Sequence, residues 1–285
     1  MKWQGKKQSG NVDDRRTMSS GGKVVAGGGL IGVIILLMNL FGGETGQQLT
    51  PILEQFNNTQ SQQESGYVLT ERDQDLGKMV DVVLTNTEEV WTKIFNENGL
   101  EYQKSTLVLF RGEVTSACGK AQSGSGPFYC TGDNKVYMDL DFFEILQTRF
   151  GAKEGEFAIA YVIAHEIGHH VQNQLGILQK VNALKRQNTA EGKKMYIAME
   201  LQADFYAGLW AHHAKDYLEI NEEDIKVALS AASSVGDDNI QKRTQGYVDQ
   251  ESFTHGTSEQ RMRWFLKGFR TGDVKAGDTF SLEEL

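Results

Sequence analysis

The run Phe157-Ala158-Ile159-Ala160-Tyr161-Val162-Ile163-Ala164-His165-Glu166-Ile167-Gly168-His169 decides how this chain is read. Apolar over so many positions, it predicts a helix over about 154–175 that stops at Gly176. Inside it, His165, Glu166 and His169 make an HExxH pattern. At about 100° per residue the two histidines stand one turn apart and differ by only ~40° around the axis, so both imidazoles reach a single ion. Glu166 points ~100° away from His165, beside that ion and not onto it, which suits a base acting on water. His170 turns a further ~100° and is not expected to be a ligand.

HExxH alone is only suggestive, and a third ligand decides. Thirty-one residues after His169 comes Glu200-Leu201-Gln202-Ala203-Asp204, within a second helical run over about 190–214. Glu200 and Asp204 fall one turn apart on one face. Two histidines and a carboxylate leave one zinc position open, the arrangement of a catalytic site, although iron or another divalent metal also suits this set. His165, His169 and Glu200 are therefore the expected metal ligands. Asp204 is expected to accept the outer ring N–H of a ligating histidine, His165 by preference. The neighbours Ile197, Leu201, Tyr206, Leu209 and Trp210 would bury this helix, which argues against a merely solvated acidic face.

Working outward, 285 residues at 39% hydrophobic and 24% charged exclude a collagen, a proline-rich disordered chain and a many-spanning transporter. The net charge of -9 hides two populations. Residues 1–23 carry six bases against two acids, a net of +4, and the remainder carries 23 bases against 36 acids, a net of -13. A basic nucleic-acid binder is excluded by that balance. Between them, residues 24–43 hold no charge and, as a helix, would span roughly the 30 Å of a bilayer core. A cleaved signal peptide competes, but the long basic region and long apolar run favour an uncleaved anchor. The positive-inside bias then assigns residues 1–23 to a basic cytoplasmic tail, 24–43 to a transmembrane anchor, and 44–66, rich in Gln, Asn and Ser, to a flexible linker. Residues 67–285 become an extracytoplasmic domain of a single-pass cell-membrane protein, with no oligomeric state assigned.

In that compartment Cys118 and Cys130, twelve positions apart around a small-residue loop, are expected to form a disulfide. Thr106–Phe110 and Lys135–Asp139 read as short strands flanking the loop, able to pair in one small sheet. Met138 lies in a run that could be the edge strand for an extended peptide. Thr70 with Asp73 marks a helix start ending near Asn98-Gly99, and Asp141 is expected to cap another helix. Further helices are predicted over about 222–235 and 258–267, with Gly236 and Gly268 as stops and Asp237-Asp238 ending a helix. His212 and His213 are expected at the surface. The fold class is α+β, mainly helical with a small β-sheet and preceded by one transmembrane helix.

HEIGHH followed by ELQADFYAGLW closely resembles the bacterial putative neutral zinc metallopeptidase family, membrane-anchored proteins of the HExxH plus ExxxD (gluzincin) type. The likeness extends to Gly10-Asn11-Val12-Asp13-Asp14-Arg15-Arg16, Gly126-Pro127-Phe128-Tyr129-Cys130, Ser233-Ser234-Val235-Gly236-Asp237-Asp238 and Phe253-Thr254-His255-Gly256-Thr257-Ser258. It implies a zincin-like domain with Zn2+ held by His165, His169 and Glu200, and Glu166 as catalytic base. Phe205 and Thr131 stand where the family often has Cys and Pro, and neither is a proposed ligand. The expected function is zinc-dependent hydrolysis of peptide or protein substrates by Glu-assisted attack of zinc-bound water. The alternative is a zinc-binding, membrane-associated assembly protein without turnover. His255, in a Gly-containing loop just before a helix with Arg261 one turn in, is the expected catalytic donor to the oxyanion, with Tyr206 and Tyr247 behind it.

Overall fold

The computed structural model of the chain describes residues 1–17, 68–122, 126–187 and 189–281. Helix α1 (Glu71–Glu97) begins where Thr70 and Asp73 form a reciprocal capping box, each side chain accepting the other's backbone N–H. It ends at Asn98 and buries Met79, Val80, Val83, Leu84, Val90, Trp91 and Ile94 along one stripe. The strands are β1 (Val12–Asp14), β2 (Thr106–Phe110), β3 (Glu113–Ser116), β4 (Gly119–Gln122), β5 (Phe128–Cys130) and β6 (Lys135–Asp139). One sheet runs β1-β2-β6-β5, and β3 and β4 form a separate antiparallel hairpin.

The two strands expected around the cysteine loop do pair, in parallel, with Leu107 opposite Val136 and Leu109 opposite Met138. Alternation decides their faces. Leu107, Leu109, Val136 and Met138 join the main core, while Val108, Phe110 and Tyr137 pack on the far side with Val114 and Cys130. The Cys118–Cys130 disulfide ties the β3–β4 turn to β5. Met138 does not lie on an edge strand: β6 is hydrogen-bonded by β2 on one side and, over Lys135–Tyr137, by β5 on the other, and the outer strands are β1 and β5.

The helices that follow are α2 (Asp141–Thr148), α3 (Glu156–Gln174), α4 (Ile177–Lys185), α5 (Ala190–Ala214), α6 (Glu222–Ser234), α7 (Asp237–Thr244) and α8 (Ser258–Thr271). Asp141 does not cap α2: it is the first helical residue, and Asp139 Oδ1 accepts its N–H. Gly268 does not stop α8, which continues to Thr271. A Cβ at Gly268 would lie 2.1 Å from the Phe205 carbonyl oxygen, and one at Gly208 only 1.9 Å from that of Phe265. Here glycine marks a close crossing of α5 and α8, not a helix end. Asp237 and Asp238 likewise open α7 instead of closing α6.

Of the basic tail expected over residues 1–23, residues 1–17 are described. Residues 1–17 pack on the domain: β1 pairs in parallel with β2, Trp3 enters the main core, and the terminal amine meets Asp224 at 2.6 Å. The expected anchor at 24–43 and linker at 44–66 lie outside the described residues. Among the described residues no helix is long and apolar enough to cross a membrane.

Candidate metal centre and active site

Helix α3 runs through the middle of the fold, and every residue from Phe157 to Gln172 is buried. That is why its sequence is apolar around most of its circumference. It crosses α5 at Gly168, where an added Cβ would come 3.2 Å from the Ala203 Cα and carbonyl oxygen. Ala203 lies between Glu200 and Asp204, so this close approach carries both carboxylates to the histidine face of α3. His165, His169 and Glu200 each offer a ligand atom, all within 4.8 Å of one another. His165 Nε2 and His169 Nε2 lie 3.5 and 3.3 Å from the same Glu200 oxygen, Oε2.

The other ring nitrogens are occupied, and this decides the tautomers. His165 Nδ1 is 2.9 Å from Asp204 Oδ1. Burial alone would raise the Asp204 pKa, but Arg261 and His165 hold it far below the usual carboxylate range, so it is the acceptor. His169 Nδ1 meets Gln172 Oε1 at 2.9 Å, and Gln172 Nε2 is spent on the Met199 carbonyl and Gln202 Oε1. Both histidines therefore donate through Nδ1 and turn Nε2 toward the centre, where the neutral ring offers its lone pair, the condition metal binding requires. The donor set fits a divalent ion of zinc type.

Asp204, fully buried, also accepts from Tyr161 (2.5 Å) and from Arg261 through Nε and Nη2 (2.8 and 3.0 Å). Burial pulls the His165 pKa down, but the Asp204 charge and hydrogen bond and the Glu200 contact overcome it and push it up to about 9 without a metal. Glu200 is held well below its ordinary value: burial opposes ionisation, but the His169 and His255 charges and the imidazole hydrogen bonds outweigh it.

A cavity of about 150 Å³ opens beside the centre. Phe142, Leu146, Phe150, Val162, Val235 and Ile240 give it apolar walls, while His165, Glu166 and His255 face into it. His255 is placed by Asp237, whose Oδ2 accepts the backbone N–H groups of Thr254, His255 and Gly256 at 2.7, 2.6 and 3.0 Å. The Thr254 hydroxyl contacts His255 Nδ1 at 2.7 Å. Tyr206 is packed edge-on against Trp91 and Tyr247 is exposed, and neither lines the cavity. His170 is a buried structural residue, bound to the Gln103 carbonyl and the Tyr129 hydroxyl, with its pKa lowered by burial.

Sequence reading missed Tyr161, Gln172, Arg261 as the partner of Asp204, Asp237 and Tyr196. Gln172 had a signal, sitting three residues after His169 on its helix. So did Tyr196, one turn before Glu200, with which its hydroxyl hydrogen-bonds; burial and that carboxylate hold the phenol well above its usual pKa. Tyr161 had the same signal, one turn before His165 on α3; Arg261 and Asp237 meet the site only through tertiary contacts of α5, α7 and α8.

A family profile described as "Putative neutral zinc metallopeptidase" matches residues 1–280. The uncharacterized protein YpfJ of Escherichia coli (strain K12) is 42% identical over 286 residues, covering 98% of this chain and 99% of its own. The uncharacterized proteins Mb2605 of Mycobacterium bovis and Rv2575 of Mycobacterium tuberculosis are each 45% identical over 194 residues, 65% of either chain. No solved structure matches. With its profile running from the amino terminus through the histidine pair, the Glu200 helix and the His255 loop, the chain belongs to the putative neutral zinc metallopeptidase family.

Proposed function

We propose that the chain hydrolyses peptide bonds in peptides or proteins at this centre, with His165, His169 and Glu200 holding zinc and Glu166 acting as base. The observation that carries the reading is the pair of Nε2 atoms, freed by Asp204 and Gln172, converging on one Glu200 oxygen beside an apolar cavity. When bound, a divalent ion supplies Lewis acidity, polarising the scissile carbonyl and acidifying a coordinated water. Glu166, on the cavity wall next to His165, takes a proton from the attacking water on its carboxylate and returns it to the departing amine. His255, its Nδ1 held by the Thr254 hydroxyl and facing Asp237, turns Nε2 to the carbonyl oxygen and donates there as negative charge develops. Phe142, Leu146, Phe150 and Val162 suit an apolar side chain of the substrate.

The test is metal content and peptide-library hydrolysis by the full-length chain, beside Glu166→Gln. Both proteins should bind metal near one equivalent, and only the parent should cleave. Stoichiometric metal without cleavage by the parent would favour the binding protein, and absence of metal would sink both readings.

A further inference from the structure

The signature Asn11-Val12-Asp13-Asp14-Arg15-Arg16 has no place in the chemistry above, yet its seat on the domain is built in detail. Asn11 Nδ2 donates to Glu88 Oε1, a carboxylate on α1 that is 1% exposed and whose other oxygen meets Lys104. Arg16, itself buried, grips Asp14 through Nε and Nη2 and donates through Nη1 to the Asp73 carbonyl at 2.7 Å. Directly beneath it α1 carries Gly77, where a Cβ would lie 2.6 Å from Arg16 Nη2. Glycine inside a helix is destabilising relative to alanine, and here it opens the space Arg16 fills. Trp3 donates its indole N–H to Glu156 on α3, and Ser9 N–H is received by Asp81 and Thr85. The receiving residues lie on α1, α3 and α6, so the docking site is encoded in the domain and not only in the segment that occupies it.

Strand pairing brings β1 and β2 within about 4.8 Å of each other, whereas a bilayer core is about 30 Å thick. A chain crossing a membrane once between residues 17 and 68 would put this seat and its occupant on opposite faces. A second copy of the same orientation does not rescue the pairing, because its amino terminus would also be on the wrong face. Twenty uncharged residues suffice for one helical crossing and not for two.

We infer that residues 1–17 and the metal-centre domain share one side of any membrane the chain meets. This replaces the orientation expected from charge, a cytoplasmic basic tail with the domain outside. It also gives the Asn11–Arg16 signature its role: a strand and a salt-bridged clasp that complete the sheet edge and cover α1.

The experiment labels single cysteines, Gln8→Cys or Lys242→Cys, in the full-length chain with a membrane-impermeant maleimide, in spheroplasts before and after lysis. Both positions are exposed, and the parent chain sets the background. The two sites should behave alike, both labelled before lysis or both only after it. Labelling of one before lysis and the other only after would overturn the inference. A second measurement follows docking itself in the purified full-length chain. Gly77→Ala should raise Tm more in Arg16→Ala than in the parent, because a Cβ at residue 77 meets the Arg16 guanidinium only when that side chain is seated. Additive effects of the two substitutions would equally overturn it.

Discussion

Replacing Asp204 by Asn removes one negative charge from a carboxylate with no exposed surface that receives His165, Tyr161 and the Nε and Nη2 of Arg261. Asn keeps one acceptor oxygen and substitutes an NH2 for the other, so one donor, on His165 or Arg261, must face another donor. Arg261, only 4% exposed, is then left without its counter-charge. Breaking a buried pair from one side costs about 3–5 kcal/mol, and the metal-free protein should lose stability of that order. Metal affinity should fall independently. Loss of the carboxylate that orients a ligating histidine typically weakens binding by about 10–100-fold, or about 1.4–2.7 kcal/mol. Urea unfolding of the metal-free and metal-loaded forms measures the first effect, and competition with a chelator the second. Adding Arg261→Met to Asp204→Asn removes the orphaned charge, so most of the stability should return while metal affinity stays low. A metal-free Asp204→Asn protein within about 1 kcal/mol of the parent, or one with unchanged metal affinity, would refute the electrostatic account of this network.

Glu166→Gln should keep metal while kcat falls by about 10²–10⁴, the range of a lost acid–base group, checked by metal analysis and peptide cleavage together. His255→Ala should lower kcat by about 10²–10³ with little change in metal content, and an unchanged kcat removes it from the site. Because the His165 pKa is raised to about 9 in the metal-free fold from about 6.5 when unfolded, its stabilising contribution is complete below about pH 6.5 and lost as pH rises through about 9. Metal must displace the Nε2 proton, so binding near pH 7 should release protons, seen as a buffer-dependent heat, and affinity should climb toward pH 9. Converting Cys118 and Cys130 to Ser opens the link between the β3–β4 turn and β5 and should cost roughly 3 kcal/mol in unfolding experiments, with metal content intact.

What the sequence by itself determined is everything carried by local periodicity. Helical spacing placed His165 with His169, and Glu200 with Asp204, on single faces, because a turn of helix is the same wherever it lies. Capping chemistry located Thr70 at the start of α1, and short runs of β-forming residues flanking the cysteine loop marked β2 and β6. The chain pattern could not say how close two helices approach. Gly268 read as a stop and is instead where α8 touches the backbone of α5, and Gly168 brings Ala203, and with it Glu200 and Asp204, to the histidines. Arg261 and Asp237 become site residues only through such crossings, since the hydrogen bonds that define them join residues 57 positions apart and 17 to 19 positions apart. The charge asymmetry about residues 24–43 was legible and suggested that the amino terminus and the domain lie on opposite sides of a membrane. Only the tertiary structure shows β1 laid against β2 and Arg16 seated over Gly77, because pairing between strands some ninety residues apart leaves no periodic trace in either segment.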